Sequence, residues 1–367
     1  MHRLRNGVRW TFLRLSCALV FPVFVYSDAF AQSGFRDPLD NPAQTQSSPA
    51  GRPLMAIVNA GKGLVAVGSR GLIILSSDGG KSWSQASVPV QSDLLAVHFP
   101  TQRNGWAVGH DGVILASDDG GKSWRRQLDG RGAGKLFTDY YKQKNEAGDP
   151  AAASALAQIN TNFKAGPTLP FLDVWFEDAH TGYAVGSFGM IIATHDGGNS
   201  WEPWLNHIEN DQFLNLNAVR GINGEIYIAA ERGLVFRLDR KSSTFKKVET
   251  GYAGSFFGIT GSDSVLIAYG LRGVVYRSED KGQSWVALKT PSEATITSGL
   301  RIEGSGQFAL MNGSGQALIS GPDARDFRPF SFKTPTRITG VVSQPDNTLL
   351  LSSTAGVKRE AIPQSLQ

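Results

Sequence analysis

Seven regularly spaced glycine turns, four copies of one hairpin motif and a series of short Val/Ile/Leu runs predict an all-β chain. The architecture they specify is a seven-bladed β-propeller with four-stranded blades and a short helical insertion between blades two and three. The hairpin motif reads "SSDGGKSW" at 76–83, "SDDGGKSW" at 117–124, "THDGGNSW" at 194–201 and "SEDKGQSW" at 278–285. Upstream of each copy lie an apolar run, a tight glycine turn and a second apolar run, as in "VAVGSRGLIIL" (65–75) and "WAVGHDGVIL" (106–115).

The second glycine of that upstream turn falls at 71, 112, 189, 233, 273, 315 and 356, so successive gaps are 41, 77, 44, 40, 42 and 41 residues. Units of about 42 residues leave room for four short strands each. Innermost strands precede the units: "LLAVHFP" (94–100), "FLDVWFE" (171–177), "LNAVRGI" (216–222), "FFGIT" (256–260) and "RITGVVS" (337–343). These runs lack the 3.6-residue period of an amphipathic helix, which excludes a helical solenoid. The propeller is therefore placed at 54–360.

The gap of 77 holds an insertion at 129–168. Within it, "KLFTDYYKQKNEA" reads as one helix and "AAASALAQINTNF" as a second. Between them Asp149 stands as N-cap and Pro150 at the first helical position, so an αα-hairpin is expected. The polar segment 32–53 and the thin tail after 357, ending in residues 361–367, are expected to complete the ring together, one lending a strand to the other's blade.

Residues 1–31 read as a signal peptide. Arg3, Arg5, Arg9 and Arg14 precede or interrupt the apolar run 12–26, and Ala29-Phe30-Ala31 forms an A-x-A cleavage signal. Arg14 and Pro22 break the run, which is too short for a comfortable transmembrane helix. Cys17 lies too early for lipoprotein processing. Cleavage removes four arginines and Asp28, a net +3, so the formal +4 becomes +1 and the only cysteine is lost. Nucleic-acid binding thereby loses its main support. The six histidines show no HxxxH or HxH pairing, so neither metal nor cofactor is expected. The expectation is an exported monomer with no stable membrane insertion after cleavage.

In the hairpin motif the carboxylate lies four or five residues before the indole. Asp78, Asp119, Asp196 and Asp280 are placed to accept hydrogen bonds from the bend's own N–H groups. Trp83, Trp124, Trp201 and Trp285 then pack against a neighbouring blade. The motif resembles the Asp-box of sialidases and other propellers, where it is a peripheral structural hairpin. A glycosidase would need two convergent carboxylates at the mouth of the ring. Sialidases would add an arginine triad and a Tyr–Glu nucleophile, and "FRPF" (327–330) only loosely echoes their signature. No catalytic residue is expected, and the chain reads as non-enzymatic.

The upstream turn is more informative. In a four-stranded meander the turn between strands two and three shares a face with the blade-to-blade connections, and the Asp-box turns occupy the opposite face. The residue before the turn glycine is Arg70, Asp111, Phe188, Arg232, Arg272, Ser314 and Ala355 in the seven blades. Two readings stand open: solvated turn-tip arginines, or a positive rim that holds an acidic or C-terminal segment of a partner.

Export signal, seven Asp-box-type blades, repeated "AVGxxGxIxxSxDGGxSW" units and arginine in the "GxRG" turn together resemble the photosystem II stability/assembly factor family over residues 54–360. That resemblance implies a propeller of the lumen or periplasm that binds a newly made membrane-protein subunit through its arginine-bearing face. Carried over position by position, the partner-binding residues are Arg70, Arg232 and Arg272; blades two, three, six and seven lack the arginine. The 129–168 hairpin is expected to take part. The alternative is a carbohydrate-binding or glycosidase-type Asp-box propeller using channel carboxylates and exposed aromatics such as Trp175 and Trp204.

Overall fold

The apolar runs pair in sequence order. In the computed structural model, which describes residues 36–332 and 336–362, seven antiparallel sheets follow one another along the chain, each a simple meander. Blades one to seven span 54–85, 94–128, 171–203, 216–249, 256–288, 296–331 and 338–361. Six carry four strands and the seventh shows three among the described residues. The innermost strands are those marked in the sequence, among them Leu94–His98, Phe171–Phe176 and Leu216–Ile222. Second strands such as Gly105–Gly109 and Leu266–Gly270 are buried along their whole length, because neighbouring blades cover both of their faces.

The core is a set of interleaved sheet faces. Val67 and Ile73 of blade one pack with Leu94 and Leu115 of blade two. Leu54, Ile57 and Ile74 of blade one meet Val342 and Leu350 of blade seven, which closes the ring. Side-chain bonds cross the same seam: Thr339 Oγ1 donates to the Leu54 carbonyl at 2.8 Å and Arg359 donates to the Gly79 carbonyl at 2.7 Å.

The closing segment corrects one expectation. The propeller unit begins at Asp37, and no strand lies between it and Leu54. Pro38, Pro42, Pro49 and Pro53 remove the N–H groups that a ladder strand needs. Instead the segment runs as a strap over blades one and two, with Ala43 N–H donating to the Val88 carbonyl at 3.0 Å and Gln91 N–H to the Pro38 carbonyl at 2.7 Å. The signal peptide assigned to 1–31, residues 32–35 and most of the 361–367 tail lie outside the described residues.

The insertion forms the expected pair of helices, α1 at Gly130–Glu146 and α2 at Ala152–Asn162. α1 starts five residues before the run read from the sequence. Asp129 caps it by accepting the Gly132 N–H at 3.0 Å. Gly130 is required there, since a Cβ would lie 2.0 Å from the Pro167 carbonyl oxygen. Asp149 does not cap α2 directly; it accepts the Ala151 N–H at 2.9 Å, turning the chain just ahead of the helix. Phe137, Tyr141 and Ile159 bury themselves against Ile114, Phe171 and Met190 of blades two and three, so much of the hairpin is core. Its outer side carries Lys135, Asp139 and Lys142.

Candidate functional site

Both kinds of turn have the geometry that their sequences require. In the Asp-box of blade one, Asp78 accepts bonds from Ser76 Oγ at 2.8 Å, from the Lys81 and Ser82 N–H groups at 3.0 Å, and from Ser82 Oγ at 2.5 Å. Asp119, Asp196 and Asp280 repeat the pattern. The Ser200 hydroxyl and amide hold Asp196 down at about 2, burial opposing them. At Asp119 and Asp280 burial pushes the carboxyl up, yet the bonds from Ser123 and Ser284 prevail and both sit at about 2. Trp124 and Trp201 are buried, whereas Trp83 and Trp285 are half-buried. The indoles of Trp83, Trp124 and Trp285 donate back to the carbonyls of Gly80, Gly121 and Gly282. Every ligand of these carboxylates lies within its own hairpin, so the motif fastens the loop.

The upstream turns are built for rigidity. In blade one the chain reverses through Ser69-Arg70-Gly71-Leu72. Arg70 has φ 58 and ψ 41, Gly71 has φ 72, and Leu72 N–H bonds to the Ser69 carbonyl. That is a type I′ hairpin turn, with both central residues left-handed. Asp111, Phe188, Arg232 and Arg272 occupy the same conformation, with φ between 53 and 59. Glycine at the second position is enforced twice over: by its positive φ, and because a Cβ on Gly71 would lie 2.0 Å from the Val90 carbonyl in the linker to blade two. The turns thus lean on the blade-to-blade linkers, on the face opposite the Asp-boxes.

Arg70, Arg232 and Arg272 are all exposed at these tips. Arg232 donates to Gln212 Oε1. Among the described residues, the guanidinium groups of Arg70 and Arg272 make no hydrogen bond or ion pair. The three share a face but form no single cluster. Blades follow chain order around the ring, so Arg232 and Arg272 are neighbours while Arg70 stands across the channel. Between the neighbours lies Tyr252, whose hydroxyl donates to the Leu271 carbonyl at 3.0 Å and against which Gly233 packs.

Two further features were not singled out in the sequence. Phe188 holds the blade-three tip and is 50% exposed; Leu271 beside Arg272 is 38% exposed, and Phe257 on the channel wall 37%. Arg52, at the end of the strap, lines one cavity with Arg70. A lone basic residue in a proline-rich segment carries no periodic signal, so only the fold brings it to blade one.

The channel itself has a volume of about 310 Å³. Asp173 is the one carboxylate lining it among the described residues. It accepts bonds from Arg220 and from the Val219 N–H, and burial pushes its carboxyl up although Arg220 opposes the shift. The aromatics invoked for a carbohydrate site are not exposed. Trp204 is buried and stacks on His207 at 4.5 Å, and half-buried Trp175 covers Gly221, where a Cβ would lie 2.0 Å from its ring.

Rigid linker-braced turns on one face and Asp-box fasteners on the other define a seven-bladed propeller of BNR-repeat type. The family model described as photosynthesis system II assembly factor YCF48 matches residues 53–137 and 151–362. This chain belongs to that family. It is similar to the photosystem II assembly lipoproteins Ycf48 of Synechococcus sp. (strain CC9902), 26% identical over 204 residues, and of Parasynechococcus marenigrum (strain WH8102), 28% identical over 204 residues. Each alignment spans 54% of this chain and 60% of the relative's length. A solved structure titled "YCF48 bound to D1 peptide" superposes with a TM-score of 0.62 at 14% identity, covering 88% of this chain and all of that one. YCF48 from Cyanidioschyzon merolae gives 0.61 at 16%, covering 85% and 97%. The WD40 propeller domain of Doa1 also reaches 0.62, at 10% identity and covering 89% and 98%, so these superpositions speak for the ring rather than for its client.

Proposed function

We propose that this protein is a non-enzymatic assembly or stability factor for a membrane-protein complex, and that it holds its client through the arginine-bearing face. The client is an exported segment of a membrane-protein subunit, by analogy with the D1 peptide named for one relative. The protein works as an exported monomer in the periplasm, or in the thylakoid lumen of a photosynthetic host. The relatives' description as lipoproteins supports export, although in this chain the sole cysteine is Cys17.

One observation carries the reading. A type I′ turn favours Asn, Asp or Gly at its first central position, yet Arg70, Arg232 and Arg272 are held there in left-handed geometry, and Phe188 of blade three in the same way. A side chain with Cβ pays about 1–2 kcal/mol in that conformation. Conformational preference therefore does not explain these residues, whereas recognition by arginine and aromatic anchors does. Charge reversal at all three arginines is expected to abolish client pull-down from the envelope fraction at unchanged melting temperature. Unchanged pull-down overturns the reading.

A further inference from the structure

Six residues before the turn glycine, blades two, three and four carry Trp106, Tyr183 and Tyr227, and each ring fills the seam to the next blade. Trp106 stacks on Phe176 with ring centroids 3.6 Å apart, and Tyr183 packs edge-on against Trp204 and Phe245. The Tyr227 hydroxyl donates to the Lys281 carbonyl at 3.1 Å. Blade one has Val65 at that position. Its seam to blade two is left with a cleft of about 680 Å³ on the Asp-box face, well inside the range for ligand sites, about 300–1,000 Å³. The walls are braced. At the outer end the Ser87 N–H donates to the Lys122 carbonyl at 3.2 Å and the Trp124 N–H to the Ser87 carbonyl at 3.1 Å. The Gly120 N–H donates to the Arg103 carbonyl at 3.0 Å, tying together the two blade-two turns that form one wall.

Val65, Leu75 and half-buried Trp83 supply the apolar surface of the cleft. The Trp83 N–H is already given to the Gly80 carbonyl, so the indole offers ring carbon to a ligand. Exposed Lys62, Arg103 and Lys122 line the same cleft, and none of them forms an ion pair among the described residues. Asp119 is the one carboxylate lining it there, and its oxygens are taken up by Ser117 and Ser123 of its own hairpin. A cleft of about 480 Å³ beside the blade-five Asp-box shows the contrast. There Arg237, Arg240 and Lys246 pair with Glu225, Glu177 and Glu209. The cleft between blades one and two is therefore left positive, with its charge uncommitted.

We propose that the cleft between blades one and two binds an anionic oligosaccharide. Sugar rings turn their C–H faces to Leu75 and Trp83 and their hydroxyl edges to Ser77, Ser84 and Gln102, all of which line the cleft. Their carboxylate or sulfate groups meet Lys62, Arg103 and Lys122. The site lies on the face opposite the turn arginines, so it stands or falls independently of the client reading.

Isothermal titration calorimetry with four probes tests the site: trigalacturonate, its neutral methyl ester, sucrose octasulfate and citrate. At least one of the two anionic sugars is expected to bind about tenfold or more tightly than both the ester and citrate. The tighter of the two identifies the acid as a uronate or a sulfate ester. Lys62→Gln with Lys122→Gln is expected to weaken that sugar by at least about tenfold. Lys135→Gln with Lys142→Gln removes the same charge from the outer side of α1 and is expected to leave affinity unchanged. Val65→Tyr restores the ring found in blades three and four and is expected to abolish binding; the exposed lysine pair keeps the test decisive if that variant fails to fold. Binding by neither anionic sugar, an ester or citrate that binds as tightly, full affinity without Lys62 and Lys122, or an equal loss in the α1 control overturns the site.

Discussion

The backbone N–H of Arg70 donates to Oδ1 of Asp93 at 2.7 Å, so a residue of the next blade's entry holds the tip of the blade-one turn. The arrangement recurs where Phe188 N–H meets Asn215 Oδ1 at 2.6 Å and Arg272 N–H meets Thr295 Oγ1 at 3.4 Å. Each bond fixes a left-handed residue in register with the following blade. Asp93→Ala is expected to lower stability by about 1.5–3 kcal/mol, the range for a bond to a charged group, and to speed amide exchange at Gly71 and Leu72. Unchanged exchange at those two amides would show that the tip needs no such anchor.

Asparagine tolerates the left-handed region better than arginine or phenylalanine. Arg70→Asn, Arg272→Asn and Phe188→Asn are each expected to raise unfolding free energy by up to about 1 kcal/mol while weakening client capture. Chemical denaturation beside a pull-down checks both halves. A variant that gained stability and kept full capture would release that tip from the binding role.

Blade phase was legible because the glycine at 71, 112, 189, 233, 273, 315 and 356 is demanded locally by positive φ, and at 71, 189, 233 and 273 also by close approach to the linker into the next blade. The Asp-box was legible for the same reason: all its bonds close within eight residues. Features that rest on distant contacts were not. The strap's course depends on bonds such as that between Gln91 and Pro38, and no pattern within 37–53 encodes them. The early start of α1 is not legible because Gly130, Gly132 and Gly134 argue against helix by propensity, while packing of Gly130 against Pro167 and of Gly134 against Phe163 demands small residues there. Trp175 and Trp204 looked available for ligand because an aromatic in a loop or on an innermost strand carries no sign of what covers it.

The four Asp-boxes predict acid sensitivity with a defined window. Asp119, Asp196 and Asp280 lie at about 2 in the folded chain against about 3.9 when unfolded. A carboxyl depressed in the native state contributes stability that is full above the unfolded value and is lost as pH falls through the folded one. Unfolding free energy is therefore expected to drop steeply between about pH 4 and pH 2. Asp196→Asn removes one titrating group and should make that drop shallower, at the cost of lower stability at neutral pH. An equally steep drop in the variant would place the linkage elsewhere.

A second acid response should begin at higher pH, and it belongs to His98. Its Nδ1 accepts the Phe176 N–H at 3.1 Å, a role open only to the neutral ring, and it sits beside Trp175. Burial, followed by the positive charge of Arg220, pushes its pKa down to about 3. Unfolded, the ring titrates near 6.5. Between about pH 6.5 and pH 3 the unfolded chain thus holds one proton more than the folded one, and stability falls with falling pH by about 1.4 kcal/mol per unit. His98→Gln keeps an acceptor for Phe176 and removes the titration. Its unfolding free energy is expected to be nearly flat from pH 6.5 to about 4, where the Asp-boxes begin to contribute, while the parent declines throughout. Parallel curves for the two proteins would show that His98 is not the group that makes the ring acid-sensitive above pH 4.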